Sequence, residues 1–79
     1  MTQFYVVNEN TEDTLATADN LPTAVRLARE QARQAQAGDL VSVLDDNGTA
    51  VRQFVRRPDG AVAEQAVAHR GDPASGEVA

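Results

Sequence analysis

Three arginines stand close together in the stretch AVRLAREQARQAQAGD, in a chain that contains no lysine. On a helix, Arg26, Arg29 and Arg33 project within an arc of roughly 60°. Such an arc suits the binding of phosphates or of an acidic patch on another protein. Arg52 and Arg56, on a later strand, would extend the set in a nucleic-acid-associated regulator. We therefore take these five arginines as the candidate partner-binding residues.

The helical arginines also have a purely structural interpretation as the solvated flank of a helix. Glu30 lies within helical pairing distance of Arg26 and Arg33, and arginine stems commonly cover the apolar margin of a helix. The chain has a net charge of -5, whereas nucleic-acid binders usually carry a clear basic excess. The sequence therefore favours a solvated flank, followed by an acidic protein partner, and ranks nucleic acid last.

Residue types that support catalysis or metal binding are few. The segment LDDNG resembles a calcium loop only in part, because aligning Gly48 with the loop glycine puts Val43 and Phe54 at positions that need acidic ligands. There is one histidine and no cysteine, and neither serine lies in a nucleophile elbow. The paired carboxylates are expected in turns, where exposure to solvent leaves little scope for tuning them as general acids or bases. We expect no enzyme activity, no cofactor and no metal.

The elements that position these residues follow from hydrophobic periodicity and turn residues. Alternating β-branched and aromatic residues predict two hairpins, and an apolar period of 3.6 residues between them predicts one helix. The second hairpin turns at Asn47 and Gly48. The helix has Asp19 or Asn20 as its N-cap, a proline in its first turn and Gly38 as a left-handed C-cap. The predicted strands are residues 4–7, 14–18, 40–44 and 49–56, and residues 61–68 form either a fifth strand or a helical turn.

These elements predict an α+β fold, with a small antiparallel sheet in the order β-β-α-β-β and one helix packed on one face. Residues 1–68 make a single domain, and residues 69–79 have the composition of a disordered tail. The buried face of the helix is mostly alanine, which permits close approach to the sheet and contributes little apolar area.

Both faces of the predicted sheet carry apolar residues, although one helix can cover only one of them. In strand 49–56, the alternation of side chains places Val51, Gln53 and Val55 on one face. It places Arg52, Phe54 and Arg56 on the other face. A shift of register by one residue would exchange the faces, so the sequence leaves open which face lies outward. The second face needs a cover, and the simplest candidate is another copy of the chain.

The sequence thus predicts a small, non-catalytic accessory protein that acts through protein–protein contacts as a homodimer, with room for an unidentified protein partner. The alternative is a nucleic-acid-associated regulator that uses the arginine-lined helix flank. No apolar run approaches the roughly 20 residues of a membrane span, and the amino terminus lacks the basic and apolar regions of a signal peptide. We therefore expect a cytoplasmic location. The lack of lysine and isoleucine beside abundant alanine and valine indicates a GC-rich, bacterial coding bias.

Overall fold

One helix and five strands make up residues 2–67, the part of the chain that this computed structural model describes. They are β1 (Phe4–Asn8), β2 (Asp13–Ala18), α1 (Leu21–Gln34), β3 (Leu40–Leu44), β4 (Ala50–Arg56) and β5 (Val62–Gln65). The strands form one antiparallel sheet in the order β2-β1-β3-β4-β5. The predicted α+β fold is confirmed, and the segment left open between strand and helix contains a strand. The predicted tail, residues 69–79, lies outside the described residues.

Helix α1 begins where the sequence indicates and ends earlier than it indicates. The Asn20 side chain accepts the N–H of Thr23 at 2.9 Å, so Asn20 is the N-cap. The C-cap is Ala35, in an extended conformation, and the prediction of Gly38 as the cap is wrong. Gly38 does have a positive φ of 91°, but its N–H donates to the carbonyl of Arg56 at 2.7 Å. Gly38 therefore lies after the end of the helix, in the turn that leads into β3. Among residues 2–67, no helix has the length and apolar character needed to cross a membrane.

The helix packs on one face of the sheet through small side chains. Ala24, Ala28 and Ala32 are fully buried, and they allow the helix to lie close to the strands. The largest fully buried side chain is Phe54 of β4. The remaining buried apolar residues of the sheet are Val6, Ala18, Val41 and Val43, and the partly buried apolar residues around them are Phe4, Leu15, Ala16, Leu21, Val25, Leu27, Val51 and Val62.

A bulge in β4 places Val51 on the opposite face of the sheet from the one predicted. Val43 pairs with Arg52, but Leu44 pairs with Ala50, so Val51 is an extra residue in its strand. Because a bulge places two successive residues against one partner, Val51 turns to the helix side and packs against the core. The prediction that it shares a face with Gln53 and Val55 is wrong.

Candidate functional site

The face of the sheet turned away from α1, called here the open face, carries no charged residue within its described strands. Phe54, Val6 and Val43 are buried with the helix, and side chains alternate along each strand, so the neighbouring residues of these strands point outward. None of the twelve strand residues on the open face is Asp, Glu or Arg, although charged residues make up 24% of the chain. An antiparallel sheet with one solvated face usually alternates apolar and polar residues, and this face departs from that pattern.

The cross-strand register arranges the open face in three rows. Two rows that are mainly apolar flank a middle row that is largely polar. The apolar side chains on this face are all half-buried, so part of their surface remains in contact with water: Tyr5, Val7, Leu40, Leu44 and Val55. The rows are the Tyr5 row (Thr17, Tyr5, Leu44, Ala50), the Ser42 row (Thr14, Val7, Ser42, Gln53, Gln65) and the Leu40 row (Leu40, Val55, Ala63).

A polar pair lies at the centre of the open face. Ser42 belongs to β3, the middle strand of the sheet, and is fully buried by its neighbours. Its hydroxyl oxygen accepts a hydrogen bond from Nε2 of Gln53 at 3.1 Å. Gln53 is half-buried and lies beside Gln65 of β5 in the register. The middle row therefore presents amide groups with both donor and acceptor atoms.

The predicted arginine set is divided by the fold, and two of its members join an ion cluster on the helix side of the sheet. Glu64 of β5 receives Nη2 of Arg52 at 2.9 Å and Nη2 of Arg29 at 3.4 Å, and it also pairs with Nε of Arg52. The guanidinium carbons of Arg29 and Arg52 lie 4.8 and 5.9 Å from the centre of the Phe54 ring. Both arginines are thus paired with a carboxylate and placed near an aromatic ring.

The hydrogen bond from Arg52 lowers the pKa of the Glu64 carboxyl below its ordinary value, and the same bond raises the pKa of Arg52. Nearby charge from Arg29 acts on Glu64 in the same direction. The ionised cluster connects β5, β4 and α1 at the solvent boundary. Sequence reasoning did not find Glu64, since the residue stands 35 positions from Arg29 and only the fold brings the two together.

Arg56 acts at the end of the helix. Its Nη1 donates to the carbonyl oxygen of Ala35 at 2.9 Å, which satisfies a group that a helix terminus leaves without an internal partner. The cation also lies at the negative end of the helix dipole. Its Nε is buried without a hydrogen-bond partner. Arg56 therefore links the carboxyl-terminal end of α1 to β4.

Arg26 and Arg33 are the remaining members of the predicted set, and both are exposed on α1. The predicted pairing of Glu30 with either of them does not occur: in residues 2–67 the ion pairs of arginines are those with Glu64. Arg29 is directed to the sheet, so the three helical arginines do not act as one row. These two exposed arginines, on a chain of net charge -5, make a weak attraction for phosphate.

A cleft of about 450 Å³ opens between the start of α1 and the β3–β4 turn. Phe4, Leu21 and Val51 form part of its wall, and Asp45 and Asp46 stand among its lining residues. Asp45 accepts two backbone N–H groups of its own turn, and Asp46 accepts one from the residue that precedes β1. The Asp45 carboxylate thus stabilises the hairpin turn, and the Asp46 carboxylate links the turn to the segment before β1. Within the described residues, no three side chains of His, Cys, Asp or Glu are grouped to hold a metal ion.

Comparisons of the chain with protein-family models, with curated proteins and with solved structures gave no match. The open face and the placement of the charged residues are therefore the features that bear on function.

Proposed function

We propose that the protein is a non-catalytic accessory protein that acts through protein–protein contacts, and that it forms a homodimer through its open face. The observation that carries the proposal is the combination of partly exposed Tyr5, Val7, Leu40, Leu44 and Val55 with a lack of charge among the described strand residues around them. Contiguous apolar surface of this kind on a small protein is typical of a contact site.

Charge supports a second copy as the occupant. Each chain carries a net charge of -5, so two copies repel when their acidic surfaces meet. On the described part of the sheet, the open face is where two copies can approach without opposing ionised strand residues. A cationic partner would instead be expected to meet a face with carboxylates, and these lie in the turns and on the helix side.

The size of the open face indicates a dimer that dissociates readily. Strands about 4.8 Å apart and about five residues long give a face of roughly 24 by 17 Å. Two such faces would bury roughly 800 Å² in total, which is less than the about 1,200–2,000 Å² of stable interfaces and is typical of weak or transient ones. We therefore expect the dimer to dissociate on dilution into a monomer that keeps the fold described above.

Sedimentation equilibrium tests the proposal. At tens of micromolar, the natural protein should give twice the chain mass of 8.4 kDa, and Val55→Arg should give the mass of one chain because its charge would be buried against apolar residues. Gln34→Arg is the matched control, since it adds the same charge at an exposed position of α1, and it should remain dimeric. A natural protein that stays monomeric throughout this range would overturn the proposal.

A further inference from the structure

We infer that the Ser42 row fixes the geometry of the homodimer, with the two-fold axis running along that row. The inference rests on the proposed function, because it specifies how the open faces of two copies meet. It assigns a specificity role to Gln53 and places Gln65 and Thr14, at the two ends of the row, opposite their own copies.

Symmetry limits the ways in which the same face of two copies can meet. In a dimer joined by the same face on both copies, the two-fold axis lies in the plane between the sheets, and residues on the axis meet themselves. Two axes suit aligned sheet packing: one along the Ser42 row, across the strands, and one along β3, the central strand. The two arrangements bury the same face and differ in which residues are opposed.

An axis along β3 opposes unlike groups. It exchanges β4 with β1 and β5 with β2, so Gln53 of one copy lies over Val7 of the other. The amide oxygen of Gln53 would then be buried against an aliphatic side chain, with its Nε2 already used by Ser42. A polar group buried without a partner is unfavourable, and this arrangement contains two such groups by symmetry.

An axis along the Ser42 row opposes like groups. Gln53 then meets the Gln53 of the second copy, and a primary amide is self-complementary because it carries both a donor and an acceptor. The Tyr5 row of one copy covers the Leu40 row of the other with each strand over its own copy, which places Leu44 against Leu40 and Ala50 against Val55. Apolar rows are thus buried on apolar rows. Buried polar groups select register in this way in other assemblies.

Cysteine cross-linking distinguishes the two axes, because the chain has no natural cysteine. Thr14 and Gln65 are both exposed and stand at opposite edges of the sheet. With the axis along the row, each of these positions faces its own copy across about 10 Å, the separation of packed sheets. With the axis along β3, each faces the other position, and the two copies of Gln65 lie more than about 20 Å apart.

The experiment treats Thr14→Cys and Gln65→Cys, separately and mixed, with a short bismaleimide. We expect each variant to cross-link with itself, and the mixture to give almost no mixed product beyond the two self-linked dimers. Gln34→Cys, on the exposed side of α1, is the control and should stay unlinked. Preferential mixed product, with little self-linking, would overturn the inferred axis while leaving a dimer, and so the proposed function, in place. Loss of all cross-linking in a protein that sediments as a monomer would overturn both.

A second variant tests the role of Gln53 itself. Gln53→Val in the cross-linking background removes the polar selection and keeps the apolar contact. The protein should still sediment as a dimer, and mixed product between Thr14→Cys and Gln65→Cys should rise at least severalfold. An unchanged ratio of self-linked to mixed product would show that Gln53 does not select the axis.

Discussion

At the scale of single residues, Glu64 pairs with two arginines from different elements, Arg29 of α1 and Arg52 of β4. The three helical arginines, Arg26, Arg29 and Arg33, are all exposed. Helical spacing makes Glu30 the expected partner of Arg26 and Arg33, yet the helical arginine that forms an ion pair within residues 2–67 is Arg29, and its partner is Glu64. Spacing rules describe neighbours within one element, whereas this pair is created by the packing of β5 beside the helix. No property of the local sequence around Glu64 marks it as the partner.

The Glu64 cluster makes a pH-dependent contribution to stability. Pairing with Arg52 lowers the pKa of Glu64 in the folded protein below the ordinary glutamate value of 4.5. The stabilisation is therefore fully present at a pH above 4.5, and it is lost as the pH falls through the lowered pKa of the folded state. Glu64→Gln should therefore melt at a slightly lower temperature than the natural protein at pH 7, and the two melting temperatures should converge near pH 3. The effect is small, since the cluster is exposed to solvent.

Thermal melting followed by circular dichroism between pH 3 and pH 7 checks this expectation. Glu30→Gln serves as the control, because this exposed carboxylate of α1 has no ion pair within residues 2–67. It should show no comparable difference at pH 7. A difference for Glu64→Gln that stays constant down to pH 3 would contradict the assigned cause.

At the scale of elements, the beginning of the helix could be predicted and its end could not. Asn20 caps the helix through a contact three residues away, which a local pattern records. The other end is satisfied by Arg56, 21 residues further along the chain. The same limit applies to Val51, because an alternating pattern contains no signal for one extra residue in a strand. Local geometry is readable from sequence, whereas bulges and long-range caps depend on the assembled sheet.

Arg56 should therefore stabilise the protein as a long-range cap of α1. We expect Arg56→Gln to lower the free energy of unfolding by about 1–2 kcal/mol, since it removes a charge-assisted hydrogen bond at the helix terminus. Urea unfolding at neutral pH measures this loss. The neighbouring Arg57→Gln removes the same charge from an exposed turn position and should change the free energy by less than about 0.5 kcal/mol. Equal losses in the two variants would show that net charge, rather than capping, determines the effect.

At the scale of the whole molecule, residues 2–67 form a thin core under one face of the sheet and leave the apolar rows of the other face partly exposed. Four of the eight buried apolar residues in this part of the chain are alanines, and each buries little area. The sequence predicts apolar residues on both faces of the sheet. Which of the two faces is turned away from the helix depends on the register of the assembled strands. Burying the open face would add apolar contact that the monomer lacks, so assembly and stability should be linked.

This linkage predicts a melting temperature that depends on protein concentration. If folded chains associate, mass action stabilises the folded state as concentration rises. For a chain of this length, we expect an increase of about 3–5 °C for each tenfold rise above the dissociation constant. Differential scanning calorimetry from micromolar to submillimolar protein measures the slope. Val55→Arg should melt at a constant temperature across the same range, because its open face can no longer pair. A flat dependence for the natural protein would mean that the open face contributes nothing through self-association, and the stability of the isolated chain would then have to come from the helix side of the sheet alone.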